Sequence, residues 1–374
     1  MPFESRSDVV PRLTIGIPVR NGENYLERAL ETLLAQTFTD LEVLVADNAS
    51  TDATCDIVRD AAERDPRVHL HRHEANLGAA PNYNFLADHA RTELFKWAAH
   101  DDEYEPEFLT ACVDALDADR GAVLAYTATV DIDAEGRVIG PADEPPRADH
   151  PDVAVRFGEL LRPRQAFQIF SVMRTPVLLA TGRHRLFPDG DLVTIAEMAL
   201  HGRFAFVDRP LFRRREHPDR SMRKLRRARD RVAFFDTSRA DAITWPTYRL
   251  GWEYLGAVRD APLTPAEKRA CVLKMGGWVR CYAPDLLRGG ARSTSLLLGQ
   301  LAHRPLRAPQ RAGPTTDVAP GPDPSPDPSP DPDTAPCPVG DAARSSVPRR
   351  ARTSTANVAT TTAVPATSPS WTRR

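Results

Sequence analysis

The chain has 374 residues, 41% hydrophobic and 27% charged, with a formal net charge of -2, the balance of an ordinary soluble globular protein rather than of a basic nucleic-acid binder. No apolar run approaches the roughly 20 residues that span a bilayer, and the polar start from Met1 to Asp8 is unlike a signal peptide, so a cytoplasmic protein is expected. The cysteines, Cys55, Cys112, Cys271, Cys281 and Cys337, are scattered without the paired spacing of a zinc site or a disulfide framework and read as reduced and structural.

In chain order, Leu13 to Val19 is a β-rich run closed by Pro18 and the turn-forming Asn21-Gly22. Tyr25 to Ala35 then sets Tyr25, Leu26, Ala29, Leu30, Leu33 and Leu34 at helical spacing, an apolar stripe that has to lie on a sheet. Leu41 to Ala46 is apolar except for Glu42, as in a strand covered on both faces. Strand, helix and strand of this length form a βαβ unit with a right-handed crossover and parallel strands. The second strand ends in Asp47-Asn48-Ala49-Ser50-Thr51-Asp52 before a helix over Ala53 to Arg64, for which Ser50 or Thr51 is the expected N-cap and Asp52 complements the first-turn dipole. Asp47, at the strand tip, can accept hydrogen bonds from ribose hydroxyls or a base N–H, or simply close an Asx-turn. A third strand, Val68 to His71, leads into Asn76-Leu77-Gly78 and a helix near Pro81 to His89.

Leu94 to Ala99 reads as a buried strand that stops at Asp101, Asp102 and Glu103, with Pro106 suited to the first turn of a helix. Carboxylates crowded at a strand's carboxyl end repel one another unless a cation lies between them, and a hard divalent metal bridging to phosphate is the natural guest. An acidic turn capping the next helix is the plain alternative. A helix over Glu107 to Asp117, a hairpin of Val123 to Val130 with Arg137 to Ile139, a Pro- and charge-rich loop from Gly140 to Asp152, a strand over Ala166 to Met173 and a short helix after Thr175 follow. The helix from Leu192 to Leu200 puts Asp191 at its N-terminus, where the dipole keeps a carboxylate ionised. Arg213, Arg214, Arg215 and His217 fall on a strand end and loop, and guanidinium groups suit a diphosphate. The basic run continues through Arg223, Lys224, Arg226, Arg227, Arg229 and Arg231; without interleaved aromatics it suits an anionic membrane or lipid-linked acceptor better than nucleic acid. Val232 to Leu301 reads as helical, with Pro265 opening a helix, and residues 305–374 are a Pro-, Ser-, Thr- and Asp-rich tail expected to be disordered.

Taken together, Ile17-Pro18-Val19-Arg20-Asn21-Gly22-Glu23, Ala46-Asp47-Asn48-Ala49-Ser50-Thr51-Asp52, Asn76-Leu77-Gly78 with Asn84, His100-Asp101-Asp102, and the distal Asp191-Leu192 and Arg213-Arg214-Arg215-Glu216-His217 resemble the successive signatures of family 2 glycosyltransferases, in the family's order. The resemblance implies an α/β protein of the GT-A fold, a Rossmann-like mixed sheet flanked by helices, over residues 1–225, followed by a helical region at 226–304 and the tail. It implies that Pro18, Asn21 and Asp47 line a nucleoside pocket, that Asn84, Asp101, Arg214 and His217 meet the nucleotide-sugar, and that Asp102 holds a divalent metal, Mg or Mn. Asp191 is the implied general base of an inverting transfer, with Asp189 second. The implied partners are a nucleotide-sugar donor and a glycan, lipid-linked or small-molecule acceptor, without nucleic acid, and peripheral contact at the inner face of the membrane is compatible with the basic run. Two departures stand out: Ala99 and Gly190 occupy positions that are acidic in many members. They keep open a catalytically silent binding module of the same fold. A nucleotidyltransferase is the weaker option, since no Gly-rich phosphate loop follows the first strand.

Overall fold

The computed structural model describes residues 3, 9–142, 146–162, 167–218, 220, 228–239 and 246–302. Contacts divide the chain into Met1–Leu306 and Arg307–Arg374; the tail expected at 305–374 and, of the basic run, Arg223, Lys224, Arg226 and Arg227 lie outside the described residues.

Strand β1 (Leu13–Val19) pairs in parallel with β2 (Leu41–Asp47), Leu13 opposite Leu41 and Val19 opposite Asp47, with helix α1 (Leu26–Leu34) as the crossover. Helix α2 (Thr54–Arg64) leads to β3 (Val68–Arg72) on the far side of β2, and α3 (Ala79–Asp88) leads to β4 (Leu94–Trp97) on the near side of β1. All these pairs are parallel, as the repeated βαβ reading requires. The sheet then turns mixed. Strand β5 (Glu103–Tyr104), α4 (Phe108–Ala118), β6 (Ala122–Ile132), β7 (Val138–Pro141), α5 (Val153–Leu160), β8 (Val172–Arg174), α6 (Thr175–Ala180), α7 (Gly190–His201) and β9 (Arg203–Arg215) give the order β3-β2-β1-β4-β8-β6-β9-β5, with β7 on β6. Helices α8 (Ala228–Phe235), α9 (Pro246–Asp260) and α10 (Pro265–Ala302) follow.

Alternation along each strand sorts the core onto the two faces of the sheet. Leu13, Ile15 and Ile17 of β1 meet Leu26, Leu30 and Phe108, whereas Leu44, Phe95 and Trp97 join a core shared with α5, α7, α9 and α10, through Phe157, Ile195, Tyr254 and Trp278. Gly16 faces this second layer, where an added Cβ would stand 3.0 Å from Leu86 Cβ and from Phe95 Cζ; its bare backbone lets α3 sit down on β1.

Several local expectations are revised. The segment expected as a strand from Ala166 to Met173 is a 3₁₀ turn at Phe167–Phe170 before the short β8; the Ser171 N–H bonds back to the Gln168 carbonyl, and the buried Gln168 amide donates to the Pro146 carbonyl. Neither Ser50 nor Thr51 caps α2. Their groups are spent on Asn21, while Asp52 Oδ1 accepts from the Thr54 N–H at 3.1 Å and Glu23 accepts from the Ala53 N–H at 3.1 Å. Thr264 and Glu267 form a reciprocal capping box at the start of α10, beside the anticipated Pro265.

Glu42, the one charge in the apolar run of β2, is buried and accepts a hydrogen bond from Thr14, its partner across the strands, at 2.7 Å. Thr14→Val keeps the shape and strips that donor, so chemical denaturation should show a loss of about 1–3 kcal/mol that Thr14→Ser largely restores.

Candidate active site

The carboxyl ends of β1 and β2 carry loops knitted to each other. Pro18 sits opposite Ala46 near the strand tips. Asn21, in the left-handed region at φ 55°, takes the Thr51 N–H on its side-chain oxygen at 3.0 Å and gives its own N–H to Ser50 Oγ at 2.9 Å. Gly22 donates to Thr54 Oγ1 at 2.8 Å; a Cβ on it would fall 2.8 Å from the His100 ring, so glycine here brings the first loop against the acidic stretch. Asp47 is fully buried at the tip of β2, with Oδ2 accepting from the Ser50 N–H at 3.1 Å and lying 3.5 Å from Arg72 Nε, while Oδ1 has no hydrogen-bond partner. Asn48 reaches the third loop: its amide donates to Asn76 Oδ1 and the Gly78 carbonyl, and its oxygen accepts from the Leu77 N–H.

The acidic stretch is held by β9. Arg215 gives its backbone N–H to Asp102 Oδ1 at 2.9 Å, its Nε–H to the Asp101 carbonyl at 2.8 Å, and other guanidinium donors to the Asp133 and Ala134 carbonyls and to Glu103. His217 Nε2 stands 2.9 Å from Asp101 Oδ2, its ring packs 4.6 Å from that of Tyr25, and its buried Nδ1 has no hydrogen-bond partner. Burial works to raise the Asp101 pKa, but the His217 hydrogen bond and the nearby His100 outweigh it and hold the carboxyl below its ordinary range. Burial, followed by the Asp101 charge, pushes Asp102 up to about 7. That is the strain a cation would relieve. Among the described residues no three His, Cys, Asp or Glu side chains gather as a complete metal site. Asp102, with Asp101 and His217 beside it, therefore fits a hard divalent ion only as a partial shell, completed by phosphate oxygens and water in the way magnesium accepts.

The second group of acids comes from the distal half. Asp189 is exposed, in the left-handed region at φ 66°, and makes no side-chain cap to α7. Asp191 is half-buried and accepts the Leu192 N–H at 2.9 Å. Contrary to the dipole expectation, its pKa is raised: burial outweighs that hydrogen bond. The phenol of Tyr83 links this acid to the others. It is pushed well above its usual range by burial and then by the charges of Asp101, Asp191 and Asp102. Tyr83 is fixed by the Trp97 indole, which donates to its carbonyl at 3.0 Å, and by the His184 ring at 5.1 Å.

Two residues expected at the nucleotide-sugar are engaged elsewhere. Asn84 donates to the His184 carbonyl and accepts the His184 N–H, both at 2.9 Å, bracing the segment that leads to Asp189 and Asp191. Arg214 is buried and forms a fork with Asp131, at 2.7 and 2.8 Å, above the Phe167 ring. Sequence reading named Arg215 only as one of a row of arginines, and passed over Tyr83 and Lys96. Strand alternation could have separated Arg213 and Arg215 from Arg214, and a lysine inside an apolar strand is itself a signal. The Lys96 ammonium is buried, donates to the Trp97 and Phe170 carbonyls, lies 4.1 Å from the Tyr104 ring centre, and is pushed down to about 7 by burial.

Arg215→Ala leaves the buried Glu103 carboxylate without its closest cation and should cost about 3–5 kcal/mol in a urea titration, the range for breaking one side of a buried pair. Arg215→Lys restores charge without the fork and should recover only part. Burial also pushes the His184 imidazole down to about 4, against the opposing Arg185 carbonyl. A neutral native histidine stabilises fully above its unfolded value near 6.5, and that contribution, about 3 kcal/mol, is lost as pH falls from about 6.5 towards about 4. Urea midpoints measured across that window should fall less steeply in His184→Gln.

Residues 14–173 match the family model described as glycosyl transferase family 2. The chain is 34% identical over 130 residues to the chondroitin synthase of Escherichia coli, covering 35% of this chain and 19% of that protein. It is 29% identical over 140 residues to the hyaluronan synthase of Pasteurella multocida, covering 37% of this chain and 14% of that one. It thus spans less than a fifth of the length of these relatives. Among solved structures, S. aureus TarS 1–349 in complex with UDP superposes with a TM-score of 0.51 at 19% identity, covering 71% of this chain and 70% of that one, a likeness of fold. The mixed sheet flanked by helices is accordingly the GT-A fold, and its first strand, knitted loops and acidic stretch lie inside the segment that matches glycosyl transferase family 2.

Proposed function

We propose that the chain is an inverting glycosyltransferase that moves a sugar from a nucleoside-diphosphate sugar to an acceptor hydroxyl, with Asp191 as general base. The observation that carries this reading is the bracket on α3: Tyr83 takes on its carbonyl the indole of Trp97, which ends the strand leading to Asp101 and Asp102, and packs with Asn84 on the His184 segment that leads to Asp191. One group suits the diphosphate and the other the acceptor, and the sugar between them is where the bond changes hands.

In this mechanism Asn21, Pro18 and Asp47, at the tips of β1 and β2, hold the nucleoside. Asp191 takes the proton of the acceptor hydroxyl as its oxygen bonds to the anomeric carbon; the bond from that carbon to the diphosphate oxygen breaks with its electron pair, and the nucleoside diphosphate leaves. A pKa raised by burial makes Asp191 a stronger proton acceptor than a solvated aspartate. A divalent ion at Asp102, Mg or Mn, supplies the positive charge that the departing diphosphate needs. Arg215 and His217 act through the acids, fixing Asp102 and Asp101 in place. TarS was solved with UDP, which makes UDP-sugars the first donors to try, and the relatives named as chondroitin and hyaluronan synthases make a glycan the first acceptor.

Asp191→Asn keeps size and the Leu192 hydrogen bond but removes the proton acceptor. Turnover should fall by about 10²-fold to 10⁴-fold with donor affinity nearly unchanged, while Asp189→Asn stays near wild type; the reverse pattern moves the base to Asp189. Asp102→Asn should abolish metal-dependent binding of UDP, read by calorimetry with and without magnesium or manganese, and undiminished binding removes the metal from the scheme. A wild-type protein that binds donors and transfers nothing is the silent module that Ala99 and Gly190 leave open.

A further inference from the structure

Helices α9 and α10 run antiparallel: the Tyr248 hydroxyl donates to the Leu286 carbonyl, Gly251 abuts the Trp278 ring, and Lys268 donates to the Arg259 carbonyl. Their inner sides, through Tyr254, Val258, Cys271, Met275 and Trp278, are part of the core. Their outer sides are also apolar. Tyr248, Trp252 and Leu255 recur at helical spacing on α9 and are all exposed, Trp252 by 73%. On α10, Val272, Leu273, Val279 and Leu287 are exposed, Leu273 by 79% and Leu287 by 75%. Scattered exposed leucines need no account, but consecutive helices that present such a surface mark a docking face.

The charges say what docks there. Arg269 and Arg280 are exposed and share the face of Leu273 and Leu287, at helical intervals of four, seven and seven. In the described side chains of α10 the acids are Glu267, engaged in the Thr264 cap, and Asp285, and their spacing puts both on the opposite side. Acids on the neighbouring helix are paired: Glu253 with Arg185 and Arg249, Asp260 with Arg259. The face is therefore apolar with cations only. A second copy docking by the same face would bring arginines against arginines, whereas a surface that is apolar beneath and anionic above complements it. No described helix is long and apolar enough to cross a membrane, so such a face lies on a bilayer rather than in it.

We infer that the outer face of α9 and α10 rests on an anionic lipid surface, with Trp252, Leu273 and Leu287 in the headgroup–acyl boundary and Arg269 and Arg280 on the headgroup phosphates. This inference stands independently of the donor chemistry. The full chain should co-sediment with vesicles of phosphatidylglycerol and phosphatidylcholine, less so as salt rises, and not with phosphatidylcholine alone. Trp252→Ser with Leu273→Ser should weaken binding by about tenfold or more, and Arg269→Glu with Arg280→Glu should weaken it and flatten its salt dependence. All four side chains are exposed, so thermal midpoints and UDP binding should match wild type and separate lost docking from lost folding. Equal vesicle binding by wild type and both double variants, no wild-type binding to either vesicle, or a wild-type dimer that Trp252→Ser with Leu273→Ser dissolves would overturn the inference.

Discussion

Asp101, Asp102 and Glu103 sit together against Arg215, which meets the stretch along its length through its backbone N–H, its Nε and the end of its guanidinium, while His217 takes the Asp101 carboxylate. A buried carboxylate without a partner costs several kcal/mol, and like charges at adjacent positions add to it. Strand β9 therefore does more than extend the sheet. By pairing with β5, Glu103 opposite Arg213, it carries its arginines to acids that lie over a hundred positions earlier in the chain. The short β5 exists on the same terms: its two residues have a strand to join only because β9 arrives.

The same dependence joins the parallel and mixed parts of the sheet. Asn84 on α3 closes a two-way bond with the His184 backbone, and Tyr83 beside it packs on His184 while receiving the Trp97 indole on its carbonyl. Trp97 ends the strand that leads to Asp101, and His184 belongs to the segment that leads to Asp191. One turn of α3 is thus the bracket that sets the distance between the two groups of acids.

The parallel half was legible because its strands are buried on both faces and read as unbroken apolar runs, and because its loops end in short polar sequences with few alternatives. Glu42, the exception, takes a hydrogen bond from Thr14 across the sheet, which no local pattern reveals. Candidate acids were legible as residue types, but their charge states were not. A helix N-terminus argues for an ionised Asp191, yet burial, a tertiary quantity, pushes the other way. Arginines in a row look alike in sequence; Arg214 turns to Asp131 and Arg215 to the acidic stretch because a strand sends neighbours to opposite faces. The Phe167–Phe170 turn escaped for a similar reason, since its apolar residues fit a strand as well as a turn until Gln168 finds the Pro146 carbonyl.

The knitted loops at the tips of β1, β2 and β3 have a thermodynamic consequence. Asn21, Asn48, Ser50, Asp52 and Thr54 are tied to one another or to the neighbouring loops by hydrogen bonds, so the ordering entropy of this rim is lost when the chain folds and need not be lost again when a guest arrives. A socket that is rigid in advance gives up little freedom on capture, so more of each contact with the guest appears as affinity. On the proposed reading, substitutions that loosen these side-chain ties would weaken capture of a nucleotide without touching an atom that reacts.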